Sequence, residues 1–198
     1  MGLPRPPAWL PNAISVARVL LVPVWVVLAE LANRAGESPP LTAEAEAWRA
    51  WAFATLLTIG LSDVLDGWLA RRFGLQSHLG ANLDAFADKL AQVVLFTYLA
   101  LRTGPAFAAV PLWLLALLIA RDAVIVLGYA LIRRRRGRVE AEHRAHGKIA
   151  SLLLFGLLLL LSAGRHPAPW LLAAIAATVA LSTALYARCG VQQFFAPR

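Results

Sequence analysis

The sequence predicts an all-α integral membrane protein, six transmembrane helices preceded by a short N-terminal interfacial segment. Three observations carry that expectation. Hydrophobic residues make up 60% of the 198 residues and charged residues only 15%, with a mean hydropathy of +0.65, far from the balance of a soluble domain. Apolar runs recur at 13–32, 48–70, 80–101, 105–132, 149–163 and 168–187, most of them long enough to cross a hydrocarbon layer of roughly 30 Å as a helix. The basic residues also alternate in the way membrane topology demands. With the N-terminus on the cytosolic side, that side holds Arg5, Arg71, Arg72, Arg133 to Arg136, Arg138, Arg144, Lys148, Arg188 and Arg198, 12 in all, against the 4 residues Arg34, Arg49, Arg102 and Arg165 opposite.

In chain order, residues 1–11 (MGLPRPPAWLP) are too rich in proline for a long helix and suit the membrane interface, where Trp9 and Leu10 can sit. Asn12 or Ser15 is then the expected cap of the first span. That span is long, carries Arg18 and Glu30 and lacks a cleavage site, so it reads as a span rather than a leader. Residues 33–47 (NRAGESPPLTAEAEA) are a loop. The second span ends at Arg71 and Arg72, and the short FGLQSH turn makes spans two and three antiparallel neighbours. After span four, RRRRGR at 133–138 reads as a cytosolic anchor, and the short run at 149–163 needs its flanks to reach across. The expected organisation is one six-helix domain over 12–190 and a cytosolic tail over 191–198.

The net charge of +8 points to anionic lipid headgroups rather than nucleic acid, because the basic residues flank membrane spans. The single cysteine, Cys189, allows no internal disulfide and no cysteine cluster for zinc.

Against this background, DVLDGWLARRFGLQSHLGANLDAFAD at 63–88 places four aspartates in otherwise lipid-compatible helices. An ionised aspartate at the centre of a membrane helix costs roughly 2.5 to 3.5 kcal/mol. At 100° per residue, Asp63, Asp66, Gly67 and Ala70 form one helix stripe, and Gly80, Asp84 and Asp88 form another on the next helix. Counted from Arg72 and His78, all four carboxylates lie roughly 6 to 15 Å below the cytosolic interface, where the two stripes can face each other. Four carboxylates in a small, poorly polar space repel by several kcal/mol unless some protonate or cations neutralise them. All-oxygen ligands favour Mg²⁺, Mn²⁺ or Ca²⁺ over zinc, and two such ions would clamp both sides of a phosphoryl displacement. The small residues Gly67, Ala70 and Gly80 let a phosphate ligand approach the helix backbone.

The pattern Asp63-x2-Asp66-Gly67-x2-Ala70-Arg71-x8-Gly80-x3-Asp84-x3-Asp88 resembles the signature of the CDP-alcohol phosphatidyltransferases without a departure. That resemblance implies transfer of a phosphatidyl group from CDP-diacylglycerol to an alcohol with release of CMP. It implies two divalent ions, Mg²⁺ or Mn²⁺, on Asp63, Asp66, Asp84 and Asp88, with Asp88 also the general base. It implies too that Gly67, Ala70, Arg71 and Gly80 line the CDP site. The enzyme is expected to be multi-pass, with active site and termini facing the cytosol and a bacterial inner membrane as its setting. Family members are often homodimers, which no residue in this chain specifies.

PNAISVAR (Asn12, Ser15, Arg18), Arg121-Asp122 and HGKIAS (Lys148, Ser151) resemble outlying motifs of the phosphatidylglycerophosphate synthase and cardiolipin synthase branch. A buried arginine should pair with a phosphate or an aspartate. Arg18, Arg121 and Lys148 are accordingly the candidates for an acceptor phosphate, with glycerol 3-phosphate the expected acceptor. The Arg-Asp pair, where glycerophosphate synthases more often carry Arg-Glu, leans towards cardiolipin synthase and phosphatidylglycerol as the alternative acceptor. Ser151 stands where threonine is usual. Intramembrane carboxylates also suit a divalent-cation transporter, but no inverted repeat supports one.

Overall fold

The computed structural model of the chain describes residues 7, 9–37, 41–75, 77–136 and 145–195, with the side chains of residues 78, 79, 136 and 145–148 outside that description. Most of the expected interfacial segment therefore lies outside the described residues, as do Gly137, Arg138, Arg144 and the end of the tail. The described residues form six helices and no strand: α1 (Leu10–Ala35), α2 (Ala43–Phe73), α3 (His78–Leu101), α4 (Leu112–Arg136), α5 (Ala145–Ser162) and α6 (Pro169–Phe195). Four of them, α1, α2, α4 and α6, are long and apolar enough to cross a membrane. Asp84, Asp88 and Lys89 interrupt α3, and the described apolar part of α5, Ile149–Ser162, is shorter than the others.

The helices fall into two compact units. The first comprises residues up to Ala109 together with Leu158–Arg165, and the second comprises Val110–Leu157 and His166–Arg198. In the first, α1 packs on both α2 and α3, while α2 and α3 make little direct backbone approach to each other among the described residues. The hairpin expected from the FGLQSH turn thus closes around a third helix. The buried face of α1 is a continuous stripe at helical spacing: Pro11, Ser15, Arg18, Val22, Trp25, Ala29 and Ala32. Opposite it, α2 buries Ala45, Ala52, Leu56, Ile59 and Asp66, and the alanines on both faces let the backbones approach closely. Val16, Leu20, Val24 and Val27 of α1 and Trp51, Leu61 and Val64 of α2 are exposed, an apolar exterior suited to lipid.

The helix ends correct two expectations. Neither Asn12 nor Ser15 caps α1: the helix starts at Leu10 behind Trp9, with Pro11 in its first turn, where proline has no helical N–H bond to forfeit. The fourth span does not begin at 105, because residues 102–111 are non-helical. Pro105 and Pro111 lie in that segment, and Pro111 closes it by accepting the first helical N–H bonds of α4 from Leu114 at 2.9 Å and Leu115 at 3.3 Å. Thr42 joins α1 to α2, accepting from the Ala45 N–H at 3.1 Å and donating to the Ala35 carbonyl at 2.9 Å. Glu44 and Glu46 in the first turn of α2, with Arg71 and Arg72 in its last, match the helix dipole.

The end of α1 remote from the aspartates is held by a second polar group. Glu30 accepts from Arg34 at 2.9 Å, from Arg102 at 3.0 and 3.1 Å and from the Tyr98 hydroxyl at 3.2 Å. Buried Asn33 donates to the Tyr98 oxygen at 3.0 Å and accepts from the Ala106 backbone N–H at 3.1 Å, while Trp25 packs edge-on against Tyr98. In the second unit α4 packs against α6. Leu114, Leu118 and Arg121 are buried on one stripe of α4, as are Ile175, Val179 and Ser182 on α6.

Asn33→Ala should lower stability by about 1 to 3 kcal/mol, the cost of leaving the buried Ala106 N–H without an acceptor. Thermal unfolding in detergent measures this, and an unchanged midpoint would show that Asn33 does not tie α1 to the following segment.

Candidate active site

The two aspartate stripes are brought together by the turn between α2 and α3. Gly74 ends α2 in the left-handed region at φ 65°, a conformation that glycine adopts without a Cβ penalty. The Leu75 N–H returns to the Ala70 carbonyl at 2.9 Å. Two residues on, Ser77 caps α3 by accepting from the Gly80 N–H at 3.0 Å. These two caps fix where Asp63 and Asp66 on α2 stand relative to Asp84 and Asp88 on α3.

Arg18 of α1 enters between them. Its Nη1 donates to Asp63 Oδ1 at 3.0 Å, Asp84 Oδ1 at 2.9 Å and Asp88 Oδ1 at 2.7 Å. Its Nη2 donates to Asp66 Oδ2 at 2.5 Å, and Nε reaches Ser62 Oγ at 3.3 Å. Ser15, one turn before Arg18, donates to the same Asp66 oxygen at 3.1 Å. Arg18 is 1% exposed and Asp66 3%, whereas Asp63, Asp84 and Asp88 keep about 40 to 50% of their side chains open. The expectation that a buried arginine pairs with a phosphate or an aspartate is met by the aspartates.

The carboxylates fit a divalent ion. One oxygen from each of Asp63, Asp66 and Asp84 can be chosen so that all three lie within 4.8 Å of one another, a span that hard oxygen ligands around one cation occupy. Asp66 Oδ1 is buried without a hydrogen-bond partner among the described residues, and a buried carboxylate oxygen left without a partner is costly. Asp88 joins the group through Arg18.

Beside the cluster, within the first unit, lies a pocket of about 220 Å³. All four residues expected to line a CDP site, Gly67, Ala70, Arg71 and Gly80, border it, together with Asp66 and Asp84. Pro11, Asn12, Leu75, Ser77 and Ala81 complete its wall; of these five the sequence marks only Asn12, in the motif PNAISVAR and without a site role. The cap position before α3 is the signal that could have found Ser77. Gly80 leaves room for its neighbours: a Cβ there would come 2.6 Å from Asn12 Oδ1 and 3.0 Å from Ser77 Oγ, so those side chains would have to shift. Arg71 lies along the same wall, its Nη2 3.8 Å from where a Cβ on residue 67 would project.

Of the three residues expected to hold an acceptor phosphate, Arg18 stands in this cluster. Arg121 belongs to the second unit, 6% exposed, with Nε and Nη1 lacking hydrogen-bond partners among the described residues. The Lys148 side chain lies outside the described residues.

The sequence model of the CDP-alcohol phosphatidyltransferases matches residues 8–186, nearly the whole chain. The chain belongs to the CDP-alcohol phosphatidyltransferase family. Among curated relatives, a cardiolipin synthase (CMP-forming) of Streptomyces coelicolor is 34% identical over 76% of this chain and 65% of its own length. A CDP-diacylglycerol–glycerol-3-phosphate 3-phosphatidyltransferase of Pseudomonas fluorescens is 34% identical over 59% of this chain and 52% of its own. One of the same name from Bacillus subtilis is 28% identical over 71% and 69%. The chain thus spans less than two thirds of the length of the Streptomyces and Pseudomonas relatives.

For this family member, Asp66→Asn and Asp84→Asn should each weaken Mn²⁺ binding by about tenfold or more, since the amide keeps the shape but loses the charge of a charge-assisted contact. Calorimetric titration of each variant measures it, and near-normal affinity in both would remove these residues from the ligand set.

Proposed function

We propose that the protein transfers a phosphatidyl group from CDP-diacylglycerol to the hydroxyl of a phosphate-bearing alcohol, with glycerol 3-phosphate as acceptor and phosphatidylglycerophosphate as product. The observation that carries this reading is the convergence of Asp63, Asp66, Asp84 and Asp88 beside a pocket walled by Gly67, Ala70, Arg71 and Gly80. Two divalent ions, Mg²⁺ or Mn²⁺, would be held by the aspartates and would supply charge neutralisation on the diphosphate and on departing CMP. Gly67, Ala70 and Gly80 leave room for the diphosphate against the helix backbone, and Arg71 presents a fixed positive charge to it.

In the transfer, the acceptor hydroxyl oxygen forms a bond to the lipid-side phosphorus as the bond from that phosphorus to the CMP oxygen breaks. The hydroxyl proton passes to the Asp88 carboxylate, the most exposed of the four and so the one best able to meet an incoming alcohol. A lipid substrate with a charged head accounts for a site set just inside an apolar exterior. The 12-to-4 distribution of basic residues supports six spans with the site and both termini facing the cytosol.

Phosphatidylglycerol as acceptor is the second reading, favoured by the Arg121-Asp122 pair and by the name of the Streptomyces relative. Incubating purified protein with CDP-diacylglycerol and each acceptor separates the two by product mass. Phosphatidylglycerophosphate supports the first, cardiolipin the second, and transfer only to inositol phosphate, serine or a neutral polyol contradicts both.

Asp88→Asn should keep its affinity for CDP-diacylglycerol while turnover falls by roughly 100-fold or more, because a general base acts on the transition state rather than on ground-state binding. Turnover near the wild-type value, with lipid binding lost, would make Asp88 a ligand without a proton-transfer role.

A further inference from the structure

We propose that Arg18 is an internal counter-cation that fills the carboxylate centre in the metal-free protein and competes with divalent ions for the same oxygens. The inference rests on the metal reading above and concerns how Arg18 and divalent ions share the same carboxylates. Three features carry it.

The first is burial: Arg18 is 1% exposed, on a helix whose neighbouring buried positions are apolar or small, so in this arrangement the carboxylates and not solvent meet its charge. The second is geometry. Nη1 carries two N–H groups yet stands within 3.0 Å of oxygens on Asp63, Asp84 and Asp88, and Nη2 takes Asp66 Oδ2. An ion seated among Asp63, Asp66 and Asp84 needs lone pairs that the guanidinium now takes. The guanidinium engages one oxygen of each carboxylate, and Asp66 Oδ1, buried and without a partner among the described residues, is left for an ion to engage. The third is charge. One guanidinium against four ionised carboxylates leaves three negative charges uncompensated, whereas two divalent ions would cancel all four. Arg18 therefore holds the centre together incompletely, and the ions outbid it.

Competition predicts an effect opposite in sign to that of a residue that merely positions the ligands. In purified full-length protein, Arg18→Gln should bind Mn²⁺ about 10- to 100-fold more tightly than wild type, the range for losing a charge-assisted contact. In EDTA it should melt at lower temperature than wild type, and Mn²⁺ should close that gap. Arg18→Lys, which keeps the charge but lacks the planar fork, should fall between the two in Mn²⁺ affinity and provides a reading if the glutamine variant does not fold. In wild-type protein, phenylglyoxal modification of Arg18, followed by peptide mass, should be faster with Mn²⁺ than in EDTA. Binding of Mn²⁺ by wild type that neither variant strengthens, or modification of Arg18 that Mn²⁺ leaves unchanged, overturns the proposal alone. Failure of wild type and variants alike to bind Mn²⁺ overturns the metal reading and this proposal with it.

Discussion

Everything in the first unit depends on one electrostatic constraint: four carboxylates must share a small space among apolar helices. Opposing charges at about 4 Å are worth roughly 1 kcal/mol in water but several in a less polar medium, and repulsion between like charges scales in the same way. A cation between them offsets the repulsion that α2 and α3 meet in bringing Asp63, Asp66, Asp84 and Asp88 together. Arg18 supplies one, and α1 sits between the arms of the hairpin to deliver it. In the buried part of this group, the Arg18–Asp66 pair, removing one partner leaves the other uncompensated, typically a loss of about 3 to 5 kcal/mol.

The same helix is pinned at its other end. Glu30, Asn33, Tyr98 and Arg102 join the end of α1 to the end of α3, with Trp25 packed against Tyr98 and Phe107 between the two polar groups. An arginine whose donors must meet four carboxylates tolerates little sliding along the helix axis. The remote clamp thus bears on the site through the register of α1, although no residue of the clamp is near the aspartates in sequence or along the helix.

Much of the site was legible in the sequence because its signals are periodic. The i, i+3, i+4, i+7 spacing of Asp63, Asp66, Gly67 and Ala70 and the i, i+4, i+8 spacing of Gly80, Asp84 and Asp88 state a shared face directly, and the turn between them reveals an antiparallel pair. What stayed hidden depends on which helices touch. Nothing local in PNAISVAR says that Arg18 meets all four aspartates, only that it must meet an anion, and nothing in FGLQSH says that a third helix lies between the arms. The cap of α1 and the start of α4 differ from the sequence expectation for a related reason. Proline marks both ends more closely than polar side chains or apolar runs do: Pro11 stands in the first turn of α1 and Pro111 just before α4.

The central claim is that these carboxylates work as a divalent-metal centre for transfer from a CDP-activated lipid. Its most direct test is CMP release by the purified protein from CDP-diacylglycerol, measured with and without glycerol 3-phosphate and with Mn²⁺ or EDTA. The account predicts that CMP appears with Mn²⁺ and acceptor together, is abolished by EDTA and returns when Mn²⁺ is restored. CMP release that proceeds equally in EDTA would contradict it.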